Sequence, residues 1–137
     1  MYKMIIVPID LEHADQLAKA LSVSAGLAKH YGARLCAVGV TGSAPSSVAH
    51  NPAEFAQKFE EFAKQQSAQH GITFETKALT SPDPAVDLDD VLRKVISETN
   101  ADLVVMASHV PGFKEHFIGS NAGYLASHSD ISVFVVR

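Results

Sequence analysis

The stretch Met4-Ile5-Ile6-Val7-Pro8-Ile9-Asp10 decides the fold. A short apolar run that ends on an acid reads as a buried strand, and beyond Asp10 the hydrophobic period changes. Ala14, Leu17, Ala18, Leu21, Ala25 and Ala28 recur at helical spacing and fall on one helix face. Gly32, just after Tyr31, supplies a helix stop, and residues 35–40 form a second apolar strand running toward Gly42. Strand, helix and strand in succession make one βαβ unit.

Outward from that unit the alternation continues. Residues 41–52 (TGSAPSSVAHNP) read as an exposed connection rich in Ser, Pro and Gly. Phe55, Phe59 and Phe62 then mark an amphipathic helix that stops near His70-Gly71, and they belong to a core rather than a ligand cage. Residues 72–79 alternate Ile72, Phe74, Thr76 and Ala78 against Thr73, Glu75, Lys77 and Leu79, as in a half-exposed edge strand. Residues 80–84 break it. A helix over 86–99 carries Leu88, Val91, Leu92, Val95 and Ile96, with Asp87, Asp89 and Asp90 in its first turn as helix-start residues rather than metal ligands. After Asp102, the run Leu103-Val104-Val105-Met106-Ala107 has the continuous apolarity of a central parallel strand. A last helix over about 122–128 and a strand over 131–136 complete a β-α-β-α-β-α-β-α-β order. That order predicts one domain over residues 1–137, an open, mainly parallel five-stranded sheet with helices on both faces.

Composition narrows the function. The chain has 137 residues, 47% hydrophobic and 19% charged, with a net charge of −4. It is too apolar for a disordered tail and lacks the basic excess that grips nucleic acid. Its apolar runs fall far short of the roughly 20 residues that cross a bilayer, which argues against membrane insertion. Only Lys3 precedes the first strand and no small-residue cleavage site comes after it, so the expected location is the cytoplasm. The single cysteine, Cys36, excludes an internal disulfide and reads as core packing.

Chemistry is expected outside the carboxyl ends of the strands, where strand order reverses. Two places there stand out. Pro8 cannot donate to a ladder, so the first strand should end or distort at it, and Asp10 comes two residues later. The Asp10 carboxylate either accepts from a base amine or ribose hydroxyl or caps the next segment, and the residues alone weigh these equally. Gly119-Ser120-Asn121, ahead of the last helix, is either a phosphate cradle or an ordinary helix start. The chain carries neither a Gly-Lys-Ser/Thr phosphate loop nor a Gly-x-Gly-x-x-Gly fingerprint after its first strand. Its seven histidines, His13, His30, His50, His70, His109, His116 and His128, form no helical metal pair and read mostly as surface. His109 and His116 lie in the loop beside the proposed phosphate site and could meet an anion there; Lys114, also in that loop, reads as a surface lysine. No catalytic set and no metal ligands are identified.

Taken together, Met4-Ile-Ile-Val-Pro-Ile-Asp10, Ala101-Asp-Leu-Val-Val-Met-Ala-Ser-His109, Ile118-Gly-Ser-Asn121 and Ser132-Val-Phe-Val-Val-Arg137 resemble the universal stress protein family over the whole chain. The resemblance implies a Rossmann-like, adenine nucleotide alpha hydrolase-like fold with strand order 3-2-1-4-5. One branch of that family binds ATP through Gly, two residues, Gly, nine residues, then Gly-Ser or Gly-Thr. Here Ala107 stands at the first glycine, none lies near Val110, Gly112 is displaced, and Gly119-Ser120 is retained. By resemblance, Pro8, Ile9, Asp10 and Val40 frame an adenine, Ala107, Ser108 and His109 line the ribose and inner phosphates, and Gly119, Ser120 and Asn121 hold the outer phosphates. The resemblance further implies a homodimer through the C-terminal strand, whose apolar edge needs covering. The expected function is a nucleotide-dependent stress-response regulator that binds ATP, with or without Mg²⁺, signals to an unidentified regulatory partner, and hydrolyses ATP weakly at most. The alternatives are a nucleotide-free dimeric interaction module of the same fold and a slow ATP hydrolase using His109 or Asp10.

Overall fold

The computed structural model describes residues 1–108 and 118–137, with side chains for all of these except 84–86 and 118–121. The strands are β1 (Met4–Pro8), β2 (Arg34–Thr41), β3 (Phe74–Thr80), β4 (Leu103–Ala107) and β5 (Ser132–Val136). They form one parallel sheet in the order β3-β2-β1-β4-β5, so the chain reverses its direction of travel between β1 and β4. Helices α1 (Ala18–Tyr31), α2 (Pro52–His70), α3 (Pro84–Thr99) and α4 (Ile118–His128) connect them.

Because successive strand residues point to opposite faces, the sheet makes two cores. Ile5, Val7, Leu35, Ala37, Leu103, Val105 and Val136 meet α1 and α2 through Leu21, Ala25, Phe55 and Phe59. Met4, Ile6, Cys36, Val38, Val104 and Met106 meet α3 and α4 through Leu88, Leu92, Val95 and Leu125. This accounts for the unbroken apolar character of β1 and β4: both faces of each strand are covered. Asp102 adds a contact that hydropathy does not reveal. Its carboxylate accepts from the Met4 amide at 3.0 Å and from the Lys3 amide at 2.9 Å, tying the entry of β4 to that of β1.

The first helical segment departs from the expected single stripe. Leu11–Leu17 winds as a 3₁₀ segment, His13 interrupts it at φ −121° and ψ 25°, and α1 begins only at Ala18. With about three residues per turn, that segment does not continue the α-helical period. Leu17, Leu21, Ala25 and Ala28 are buried as expected, but Ala14 is only half-buried and Ala18 is exposed. Gly32 ends α1 in the left-handed region, at φ 63°, and its amide reaches the carbonyls of Ala28 and Lys29. Helix α2 starts with Asn51 accepting from the Glu54 amide at 2.8 Å, with Pro52 in the first turn.

Two helix starts lie earlier than expected. α3 begins at Pro84, which leaves Asp87 as the acid of the first turn and puts Asp89 and Asp90 in the next. α4 begins at Ile118, so Gly119-Ser120-Asn121 makes its first turn instead of preceding it, and Ser120 is not the N-cap. The small, polar triplet lowers apparent amphipathicity, which is why the periodic pattern becomes visible only from Ala122.

Candidate functional site

β1 pairs with β2 from Met4–Arg34 to Pro8–Val38, and β4 pairs with β5 from Leu103–Ser132 to Ala107–Val136. Between them, β1 pairs with β4 only at Ile5–Leu103 and Ile6–Val104. The seam therefore opens toward the carboxyl ends of the strands, at the position where strand order reverses. Proline lacks an N–H and cannot extend a ladder, so Pro8 as the last residue of β1 fits this opening. Such a split is where open parallel sheets bind ligands.

The structure brings most of the expected residues to this place. Pro8 and Asp10 stand on the β1 side, half-buried, and Ala107 and Ser108 on the β4 side, equally half-buried. Val40, near the end of β2, is partly open and packs against the core under α3 and α4. Ile9 faces away: its side chain is 5% exposed in the core beneath α1, and its amide donates to the Val38 carbonyl at 2.8 Å. Only the main chain of Ile9 is left at the crevice. The Ser108 amide donates to the Val136 carbonyl at 2.7 Å, which leaves the hydroxyl as the group Ser108 can offer. Gly119, Ser120 and Asn121 lie in the first turn of α4, which follows β4 and so starts at the carboxyl end of the sheet, and the leading amides there have no acceptor within the helix. His109, His116 and Lys114 lie outside the described residues.

Asp10 does what the capping alternative expects of it. Its Oδ1 accepts from the Glu12 amide at 3.0 Å, and its Oδ2 lies 3.0 Å from His13 Nδ1. Capping and ligand contact are not exclusive, because each carboxylate oxygen has a second lone-pair site. The expectation of a surface His13 is corrected: the residue is part-buried against Asp10, held there by the 3₁₀ turn. The signal in the sequence is the Asp-x-x-His spacing, which puts the two side chains together in one turn. Glu12 is drawn the other way, with the Ser47 hydroxyl donating to its Oε1 at 2.9 Å, so the β2–α2 connection is fastened across the start of the 3₁₀ segment. One ligand-type atom from each of Asp10, Glu12 and His13 lies within 4.8 Å of the others, a proximity that the capping geometry itself accounts for.

Titration elsewhere is structural. Burial pushes the Cys36 thiol up to about 11, so it is a protonated core group rather than a nucleophile. Glu54 is held down at about 2, first by the His50 amide and then by Lys58, and it steadies the entry to α2. Among the described residues no helix is long and apolar enough to cross a membrane.

Known proteins share this architecture. The model of the universal stress protein family matches residues 1–137. This chain belongs to that family. Universal stress protein G of Salmonella typhimurium is 31% identical over 150 residues, covering the whole of both chains. Among solved structures, the universal stress protein of Archaeoglobus fulgidus in complex with dAMP aligns at a TM-score of 0.68 and 17% identity, over 99% of this chain and 98% of that one. A universal stress protein in complex with cAMP aligns at 0.70 and 17% identity, over 99% and 97%. The five-stranded order of this family member and its flanking helices are thus those of its structural neighbours.

Proposed function

We propose that this universal stress protein binds an adenine nucleotide, ATP above all, with or without Mg²⁺, in the seam between β1 and β4, and acts as a dimeric stress-response regulator in the cytoplasm. The observation that carries the reading is the opening of the sheet after Ile6–Val104, with an acceptor carboxylate on one side and the first turn of α4 on the other. The dAMP and cAMP complexes of the structural neighbours support the choice of ligand. In this reading the adenine lies against Pro8, the Ile9 main chain and Val40, with its amine toward Asp10. Ala107, the Ser108 hydroxyl and His109 take the ribose and inner phosphates. The outer phosphates meet the amides of Gly119, Ser120 and Asn121, where the helix dipole favours negative charge. A metal bound with the phosphates would supply charge neutralisation. Ala107, where the family's ATP-binding branch has glycine, adds one methyl group at the ribose.

In this reading the nucleotide acts as a signal and its hydrolysis is weak at most. The dimer forms through β5, whose Phe134 and Val135 are each 43% exposed on the open sheet edge. A regulatory protein reads the nucleotide-bound state. The test is mass spectrometry of small molecules released from freshly purified protein, then calorimetry with ATP and Mg²⁺. Co-purified adenine nucleotide and a saturable heat are expected. No heat and no thermal shift at millimolar ATP would refute the reading in favour of a nucleotide-free dimeric module.

A further inference from the structure

Resting on that nucleotide reading, we propose that His13 is a specificity-determining residue: it holds the Asp10 carboxylate in the orientation that selects an adenine over a hypoxanthine base. An ionised carboxylate only accepts hydrogen bonds, so in the 3.0 Å contact with Asp10 Oδ2 the proton sits on His13 Nδ1, which fixes that ring's donor side. The Glu12 amide holds Oδ1 at the same distance, 3.0 Å. Two donors on two oxygens set the carboxylate plane, and an otherwise rotatable side chain becomes a fixed acceptor at the end of β1. Each oxygen keeps a second lone-pair site for a ligand donor.

The surroundings make this fixing necessary. Glu12 places a second carboxylate oxygen within 4.8 Å of Asp10, and repulsion between the two would turn Asp10 away. His13 donates to Asp10 at 3.0 Å while Ser47 engages Glu12 Oε1 at 2.9 Å, so each carboxylate has its own donor. His13 reaches Asp10 because its own backbone leaves the helical region, at φ −121°. An adenine presents an exocyclic amine, a donor that matches the fixed acceptor. A hypoxanthine presents a carbonyl in that place, and two acceptors facing each other exclude it.

The test measures AMP and IMP affinity by calorimetry for the wild-type chain, His13→Ala and His13→Asn. Asparagine puts its amide nitrogen where imidazole has Nδ1, so it keeps the donor. Loss of one charge-assisted hydrogen bond should weaken AMP by about tenfold in His13→Ala while IMP moves by less than about twofold. His13→Asn should restore the preference. A purely structural role for His13 would lower both affinities together, and that result overturns the inference, as does an AMP preference unchanged in His13→Ala. Wild-type protein that binds neither AMP nor ATP refutes the nucleotide reading, and this inference with it. Wild-type binding with no discrimination against IMP refutes this inference alone. Thermal melting of both variants accompanies the titrations, and an unfolded His13→Ala leaves His13→Asn against wild type as the deciding pair: an AMP preference lost in His13→Asn overturns the inference.

Discussion

β1 divides the sheet into halves built on different terms. On the β2–β3 side the ladders run to the carboxyl ends, from Leu35–Phe74 through Thr41–Thr80, and the outer strand is guarded by charge. Arg34 pairs with Glu75 at 2.6 Å and Lys77 with Glu98 at 3.0 Å. Gly39 lies so close to α2 that a Cβ there would stand 2.9 Å from the Phe59 ring. On the β4–β5 side the ladder to β1 stops early, and the outer strand exposes Phe134 and Val135. The first half is closed and self-sufficient; the second leaves a seam and an apolar edge. Charged edges resist pairing and apolar ones invite it, so the proposed dimer contact falls on the open half of the sheet.

Substitutions should divide along the same line. The largest effect is expected at the apolar edge. If the proposed dimer pairs β5 with its symmetric copy, Val135→Lys places like charges near one another and should weaken that dimer by at least roughly a hundredfold, read by sedimentation. The matching change on the guarded edge, Lys77→Val, should leave the oligomeric mass as it was. Equal responses of the two edges would erase the distinction.

Next comes the seam. Gly119→Val adds a branched side chain in the first turn of α4 and should lower ATP affinity by about tenfold or more, while the protein stays folded. Retained affinity would move the phosphates elsewhere. In the closed half the cost should be stability instead. Gly39→Ala forces a methyl against Phe59 and Phe55, and overpacking of this kind costs about 1–3 kcal/mol, read as a lowered Tm. Nucleotide affinity measured well below that Tm should not change.

The smallest effect is at Glu54. Its carboxyl is held at about 2, below the ordinary glutamate value, so its ionised contacts stabilise the fold at neutral pH. A carboxyl depressed by folding loses that contribution as pH falls from the ordinary value through the depressed one. Glu54→Gln should therefore flatten the acid limb of the stability curve between about pH 4.5 and 2, with little change at neutrality.

Much of this is legible in the residues. β1, β4 and the phenylalanine helix can be read directly because apolar periodicity is a local property of consecutive side chains. Pro8 announces the end of its strand for the same reason: a missing N–H is a covalent fact. The 3₁₀ winding before α1, by contrast, leaves a pattern that mimics an α-helix over its first turn, so periodicity expects Ala14 and Ala18 in the core, where they are only half-buried and exposed. Ile9 belongs to the apolar run and to the crevice alike, and only packing assigns its side chain to the core.

By itself the sequence determined the order of strands and helices, the two-faced burial of β1 and β4, and the segments that could carry ligand chemistry. Tertiary structure alone decided that the β1–β4 ladder stops at Ile6–Val104, and that Glu12 is drawn to Ser47 of the β2–α2 connection. It also committed the Ser108 amide to Val136. The reason is that periodicity and covalent constraint act between neighbours along the chain. A seam, a fastened connection and an occupied amide exist only between segments brought together by folding, and no local pattern encodes which of several available partners wins.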